Sequence, residues 1–84
     1  MQVCFHKNAH SDYLYFKKIA PKKYKRINKL IQNIRQTPYS GLGKPEALKY
    51  NLSGLYSRRI DSEHRLVYTI ENNKIFIIQC RYHY

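Results

Sequence analysis

The sequence predicts an α+β domain in which an N-terminal helical hairpin packs on one face of an antiparallel β-sheet, in the order β-α-α-β-β-β-β. Three observations carry that expectation. Between residues 22 and 34, Tyr24, Ile27, Leu30, Ile31 and Ile34 fall on one side of a helical wheel, while Lys22, Lys25, Arg26 and Lys29 fall on the other. Residues 56–82 instead form three runs rich in strand formers. Those runs are separated by Asp61-Ser62-Glu63 and by Asn72-Asn73, and an Asn pair suits a two-residue hairpin turn needing positive φ. At 84 residues the chain has room for one core, so residues 1–84 are read as a single domain.

Each element follows from local chemistry. Gln2–His6 alternates with period two and forms the first strand. Ser11 and Asp12 offer N-capping oxygens to a short helix that stops near Ala20, because a residue preceding proline avoids helical backbone. Pro21 opens the second helix, where its missing N–H costs nothing. From Thr37 to Gly54 the prolines and glycines at 38, 41, 43 and 45 interrupt any periodic pattern. A long loop is expected there, with a short strand near Leu48–Asn51. Loops of this length in compact domains are usually functional. Strands at Tyr56–Ile60, His64–Glu71 and Lys74–Tyr82 complete the sheet.

Sixteen Lys and Arg against five Asp and Glu give a net charge of +11, which points to a phosphate-rich partner. A membrane is not expected: there is no apolar run near 18 residues, no signal peptide and no lipidation motif. Cys4 and Cys80 lie in apolar, strand-like surroundings and read as buried thiols of a cytoplasmic protein. No Cys/His spacing matches a zinc site, so neither metal nor cofactor is expected.

The candidate site begins with a register argument. If the Asp61–Glu63 loop sets Ile60 opposite His64, then Arg59 lies across from Arg65 on one face, and Ile60, Leu66, Tyr68 and Ile70 point to the other, toward the helices. Like charges placed opposite each other destabilise a strand pair, and an anion relieves them. The rival reading is a solvated charged strand face. Glu46 sits between Lys44 and Lys49 in the Gly/Pro-shaped loop, either as a simple ion-pair partner or as a general base. The chain then ends on Cys80-Arg81-Tyr82-His83-Tyr84, which joins a side chain able to exchange protons near neutrality to π-faces and charge suited to single-stranded nucleic acid.

The segment TPYSGLGKPEALKYNLSGLYSRRIDSEHRLVYTIENNKIFIIQCRYHY, from Thr37 to the last residue, resembles the Txe/YoeB family of bacterial toxins within the RelE superfamily. The framework GKPE-LK-NLSG--SRRI--EHRLVY and the terminal CRYHY carry the resemblance. The first 36 residues agree in length and pattern but less in identity, and Phe5, His10 and Tyr56 stand where the family pattern has tryptophan.

The resemblance implies a ribosome-dependent mRNA endonuclease, the toxin of a type II toxin–antitoxin pair, acting in the A site of the 70S ribosome. It implies attack by the RNA's own 2′-hydroxyl without metal, a Phd/YefM-type antitoxin and a homodimer. Carried over by position, Glu46 matches the general base, His83 the general acid and Arg65 the residue that stabilises the transition state. Lys49, Arg59 and Tyr84 match supporting positions for phosphate and base, and Lys44 lies beside them. Lys22, Lys25, Arg26 and Lys29 are the expected ribosome-docking face. Two other classes remain open: a non-catalytic ParE-like inhibitor of a protein, and a plain RNA-binding module on the same fold.

Overall fold

Strand β1 (Gln2–Phe5) leads directly into helix α1 (Lys7–Ile19), and Ala20 alone separates that helix from α2 (Pro21–Gln36). After the loop come β2 (Glu46–Ala47), a 3-10 turn at Tyr50–Leu52, β3 (Tyr56–Arg59), β4 (Arg65–Glu71) and β5 (Lys74–Gln79). The computed structural model describes all of residues 1–84. The strands make one sheet in the order β1-β5-β4-β3-β2. Strands β2 to β5 pair antiparallel, whereas β1 lies parallel to β5, so the sheet is mixed. Parallel neighbours need a long crossover. The chain between β1 and β5, starting with the two helices, supplies it.

The core lies between the helical hairpin and one face of the sheet. Ile27, Leu30 and Ile34 of α2 are fully buried, as are Leu66, Tyr68, Ile75 and Ile77 of the sheet. Burying each such aliphatic side chain contributes about 1.5–3 kcal/mol. Ile60 is buried as expected and Ile70 packs half-buried against the same cluster. Tyr13 ties the helices together: its ring lies 4.8 Å from that of Tyr24 and its hydroxyl donates to Asn28 Oδ1 at 2.6 Å. Asn72 and Asn73 both adopt positive φ, 50° and 60°, and close the β4–β5 hairpin.

Three boundaries differ from the sequence expectation by more than one residue. Helix α1 starts at Lys7 with His6 at the N-cap position, placing Ser11 and Asp12 inside it. Tertiary packing decides this, because Ala9 in the first turn is 1% exposed and its carbonyl accepts a hydrogen bond from Cys80 Sγ at 3.3 Å. The short strand forms at Glu46–Ala47, opposite Ser57 and Tyr56, instead of at Leu48–Asn51. There the chain turns instead, with Leu48 buried and its N–H donating to Leu55 O at 2.9 Å. Finally, β5 stops at Gln79 and does not reach Tyr82. An irregularity at Val67/Tyr68 shifts the β4–β5 register, and the residues beyond Gln79 leave the ladder.

Candidate active site

Paired residues in adjacent strands share a face of the sheet. Glu46 pairs with Ser57, Ser57 with Val67, and Val67 with Gln79. Two residues further along, Arg59 pairs with Arg65, as the loop length predicts. Glu46, Arg59 and Arg65 therefore stand on the face away from the helices, in two neighbouring rows about 7 Å apart. None of the three ion pairs in the protein involves them. Glu46 is thus not neutralised by Lys44 or Lys49, which are all exposed on the same loop. Two of the Arg65 donors are directed: Nη1 binds Asp61 O at 2.8 Å and His64 O at 3.1 Å. The rest of its fork stays available to a ligand.

The C-terminal residues fold back over this strip. Cys80 is wholly buried, and Arg81 lies against α1, its guanidinium 4.3 Å from the Tyr15 ring centroid and 3.5 Å from Asp12 Oδ1. Arg81 thereby anchors the tail's root; the sequence had suggested a nucleic-acid contact. Tyr82 then takes φ 64°, a left-handed conformation that redirects the chain. Its N–H donates to His64 Nδ1 at 2.7 Å, and its carbonyl accepts from the Arg65 N–H at 3.0 Å. Gln79 Nε2 reaches the carbonyls of Arg81 at 2.9 Å and His83 at 3.3 Å. The rings of His83 and Tyr84 lie 4.6 Å apart, and the Tyr84 hydroxyl comes to 3.5 Å from Glu46 Oε1. Residues separated by 38 positions thus meet across the sheet.

An open cleft of about 390 Å³ lies between the Glu46–Leu52 segment and Tyr84. A second, of about 370 Å³, has His6, Asp12, Gln79, Arg81 and His83 in its walls. The tail separates the two. No group of three or more His, Cys, Asp or Glu side chains is arranged to hold a metal ion.

Arg58 is the feature that sequence reading missed. It alternates with Arg59 and so points into the core, where it is fully buried without a carboxylate partner. Its Nη1 donates to Asn33 Oδ1 at 2.6 Å and Leu42 O at 3.0 Å, and its Nη2 to Thr37 O at 2.6 Å and Ser40 O at 2.9 Å. Nε donates to the Tyr68 hydroxyl at 3.2 Å, which itself donates to Pro38 O at 2.6 Å. The arginine therefore gathers the Thr37–Leu42 segment onto the sheet. Gly43 completes the approach: its φ is 81°, its carbonyl accepts from the Arg59 N–H at 2.7 Å, and a Cβ there would come within 2.8 Å of Leu30. Glu46 follows three residues later, on a loop whose origin is fixed.

Lys22, Lys25 and Lys29 are exposed on α2, away from this strip. Arg26 is half-buried and turns toward the sheet, donating to Arg59 O at 3.2 Å. It braces the end of β3 and is less free than its three neighbours.

The profile described as the YoeB-like toxin of bacterial type II toxin-antitoxin systems matches residues 5–84. Toxin YoeB of Synechocystis is 54% identical over 84 residues, covering 100% of this chain and 98% of that protein. The YoeB/ParE toxin structure from Agrobacterium tumefaciens superposes with a TM-score of 0.97 at 40% identity, covering 100% of both chains. A Staphylococcus aureus YoeB, solved both in complex with YefM and as a dimer, superposes at 0.94 with 48% identity over 100% of this chain and 98% of that one. The chain belongs to the YoeB-like toxins of bacterial type II toxin–antitoxin systems.

Proposed function

We propose that the protein is a ribosome-dependent endoribonuclease that cuts translated mRNA in the A site by metal-independent acid–base catalysis. The observation that supports this reading is that Glu46, Arg59 and Arg65, none of them in an ion pair, share one face of the sheet, and that Tyr84, next to His83 in the tail, reaches the Glu46 carboxylate. Glu46 accepts the proton of the 2′-hydroxyl as that oxygen attacks the adjacent phosphorus. The bond from phosphorus to the 5′-oxygen breaks, and His83 gives that leaving oxygen its proton. The products are a 2′,3′-cyclic phosphate and a 5′-hydroxyl. Arg65, with its free donors, stabilises the negative charge that develops on the phosphoryl oxygens, supported by Arg59, Lys49 and Lys44. The Tyr84 ring, beside the cleft at Glu46–Leu52, gives a base a stacking surface.

The nucleophile belongs to the substrate, so the protein supplies geometry and proton transfers. A site on an open sheet face grips single-stranded RNA weakly, and the ribosome holds the message in a fixed conformation against it. Lys22, Lys25 and Lys29, with a smaller share from Arg26, dock on ribosomal RNA. A YefM-type antitoxin covers the basic face in the cytoplasm, by analogy with the S. aureus complex, and the toxin forms a homodimer. The test is primer extension on one message, naked and translated, at matched salt. Cleavage of the translated message alone supports ribosome dependence, and equal rates on both would sink it.

A further inference from the structure

His64 does something that neither its place in the chain nor the proposed reaction assigns to it. The residue immediately precedes β4 and is 5% exposed, its ring packed 5.3 Å from Phe16 and 5.8 Å from Tyr82. A buried polar ring needs partners. Nδ1 receives the Tyr82 N–H at 2.7 Å and Nε2 faces Glu63 Oε1 at 3.4 Å. An Nδ1 that accepts carries no proton, so the neutral ring holds its hydrogen on Nε2, toward the carboxylate. The backbone of the same residue is equally committed. Its N–H donates to Asp61 Oδ1 at 2.7 Å, and its carbonyl accepts from the Ile60 N–H and from Arg65 Nη1.

One residue thus touches the Arg65 guanidinium through its carbonyl and the C-terminal tail through its ring. Tyr82 is the point at which the tail turns, and its positive φ is one that a tyrosine rarely adopts unless its surroundings impose it. Three hydrogen bonds hold Tyr82 there: its N–H donates to His64 Nδ1, and its carbonyl accepts from the Arg65 N–H and, at 3.4 Å, from Gln79 Nε2. His83 and Tyr84 beyond it are exposed. We infer that His64 is a positioning residue, whose ring nitrogen fixes the tail so that His83 and Tyr84 stand over the strip formed by Glu46 and Arg65. The inference rests on the nuclease reading for its consequence, but its geometry is tested separately.

The test compares three variants of the full chain. His64→Asn keeps an acceptor near the position of Nδ1, His64→Gln moves its amide out to the position of Nε2, and His64→Phe keeps a ring with no acceptor. In the free protein, hydrogen exchange at the Tyr82 amide is slow in the wild type and His64→Asn, and fast in His64→Gln and His64→Phe, while the amides of Ile75 and Ile77 stay protected in all four. On saturating ribosomes, His64→Phe cleaves roughly 10–100-fold more slowly, the scale of a displacement near 1 Å, with ribosome affinity unchanged within about threefold. His64→Asn recovers most of that loss. An unchanged Tyr82 amide in His64→Phe, or a His64→Asn no better than His64→Phe, overturns the inference. Fast exchange in His64→Phe with wild-type cleavage overturns it too. If the wild type cuts no message, the nuclease reading fails while the exchange data still decide whether His64 holds the tail. If His64→Phe does not fold, the contrast between His64→Asn and His64→Gln carries the same decision.

Discussion

Replacing Arg58 with alanine removes five donated hydrogen bonds at once; Leu42 O loses its partner, while Thr37 O, Ser40 O and Asn33 Oδ1 keep the Ser40 N–H, the Thr37 hydroxyl and the Leu42 N–H. Each hydrogen bond from a charged donor contributes about 1.5–3 kcal/mol, though neighbouring losses do not add fully. Five such losses, counted well short of additively, put the cost at about 3 kcal/mol or more. A domain of this size has roughly 4–13 kcal/mol in total, so the substitution consumes much of it. A loss of 3 kcal/mol corresponds to a fall of about 12–24 °C in Tm. Arg58→Lys keeps the charge but not the fork and falls between the two proteins. Thermal and urea unfolding followed by circular dichroism measure the change. An Arg58→Ala protein within about 1 kcal/mol of wild type would show that the Thr37–Leu42 segment is held by something else.

Three other outcomes follow from the same geometry. Burial pushes the Asp61 carboxyl up, but the N–H groups of Glu63 and His64 and the Lys23 ammonium outweigh it, so its pKa lies below the ordinary 3.8. Its contribution is present above the unfolded pKa and lost as pH falls through the folded one, so the Tm gap between wild type and Asp61→Ala, about 4–8 °C near neutrality, narrows below about pH 4. A gap that persists in acid would contradict this. Burial, reinforced by Asp12 and opposed by Arg81, pushes the Cys80 thiol up to about 12. Iodoacetamide on the native protein near neutrality therefore labels half-buried Cys4 first, as peptide mass mapping will report, and equal labelling would refute the burial of Cys80. A short polar tag after Tyr84 slows cleavage by about 10²-fold without lowering Tm, whereas a tag before Met1 does much less. Full activity of the C-terminally tagged protein would mean that the catalytic acid lies elsewhere.

Short-range periodicity carried most of the architecture. The helical hairpin, the Asn72-Asn73 turn and the pairing of Arg59 with Arg65 all follow from spacing over a few residues. The parity that sends Tyr56 and Ile60 inward also sends Arg58 inward, but its partners are main-chain carbonyls, which look alike in any sequence. Long-range contacts explain the remainder. The parallel seat of β1 depends on where the helices deliver the chain, and the early start of α1 depends on Ala9 meeting Cys80. The reversal at Tyr82 depends on a histidine 18 residues earlier. The residues of the candidate site were legible as types and positions, while the clamp that holds its tail appears only when the strands are paired.

The chemistry of the cut ends tests the central claim most directly. Translated message is cleaved by the wild-type protein, and the new termini are identified by ligation requirements and mass spectrometry. Attack by the 2′-hydroxyl, with Glu46 taking its proton and His83 protonating the leaving oxygen, predicts a 2′,3′-cyclic phosphate and a 5′-hydroxyl, formed at least about 10²-fold more slowly by Glu46→Gln or His83→Gln. Termini bearing a 3′-hydroxyl and a 5′-phosphate would mean that water is the nucleophile, and would contradict the account.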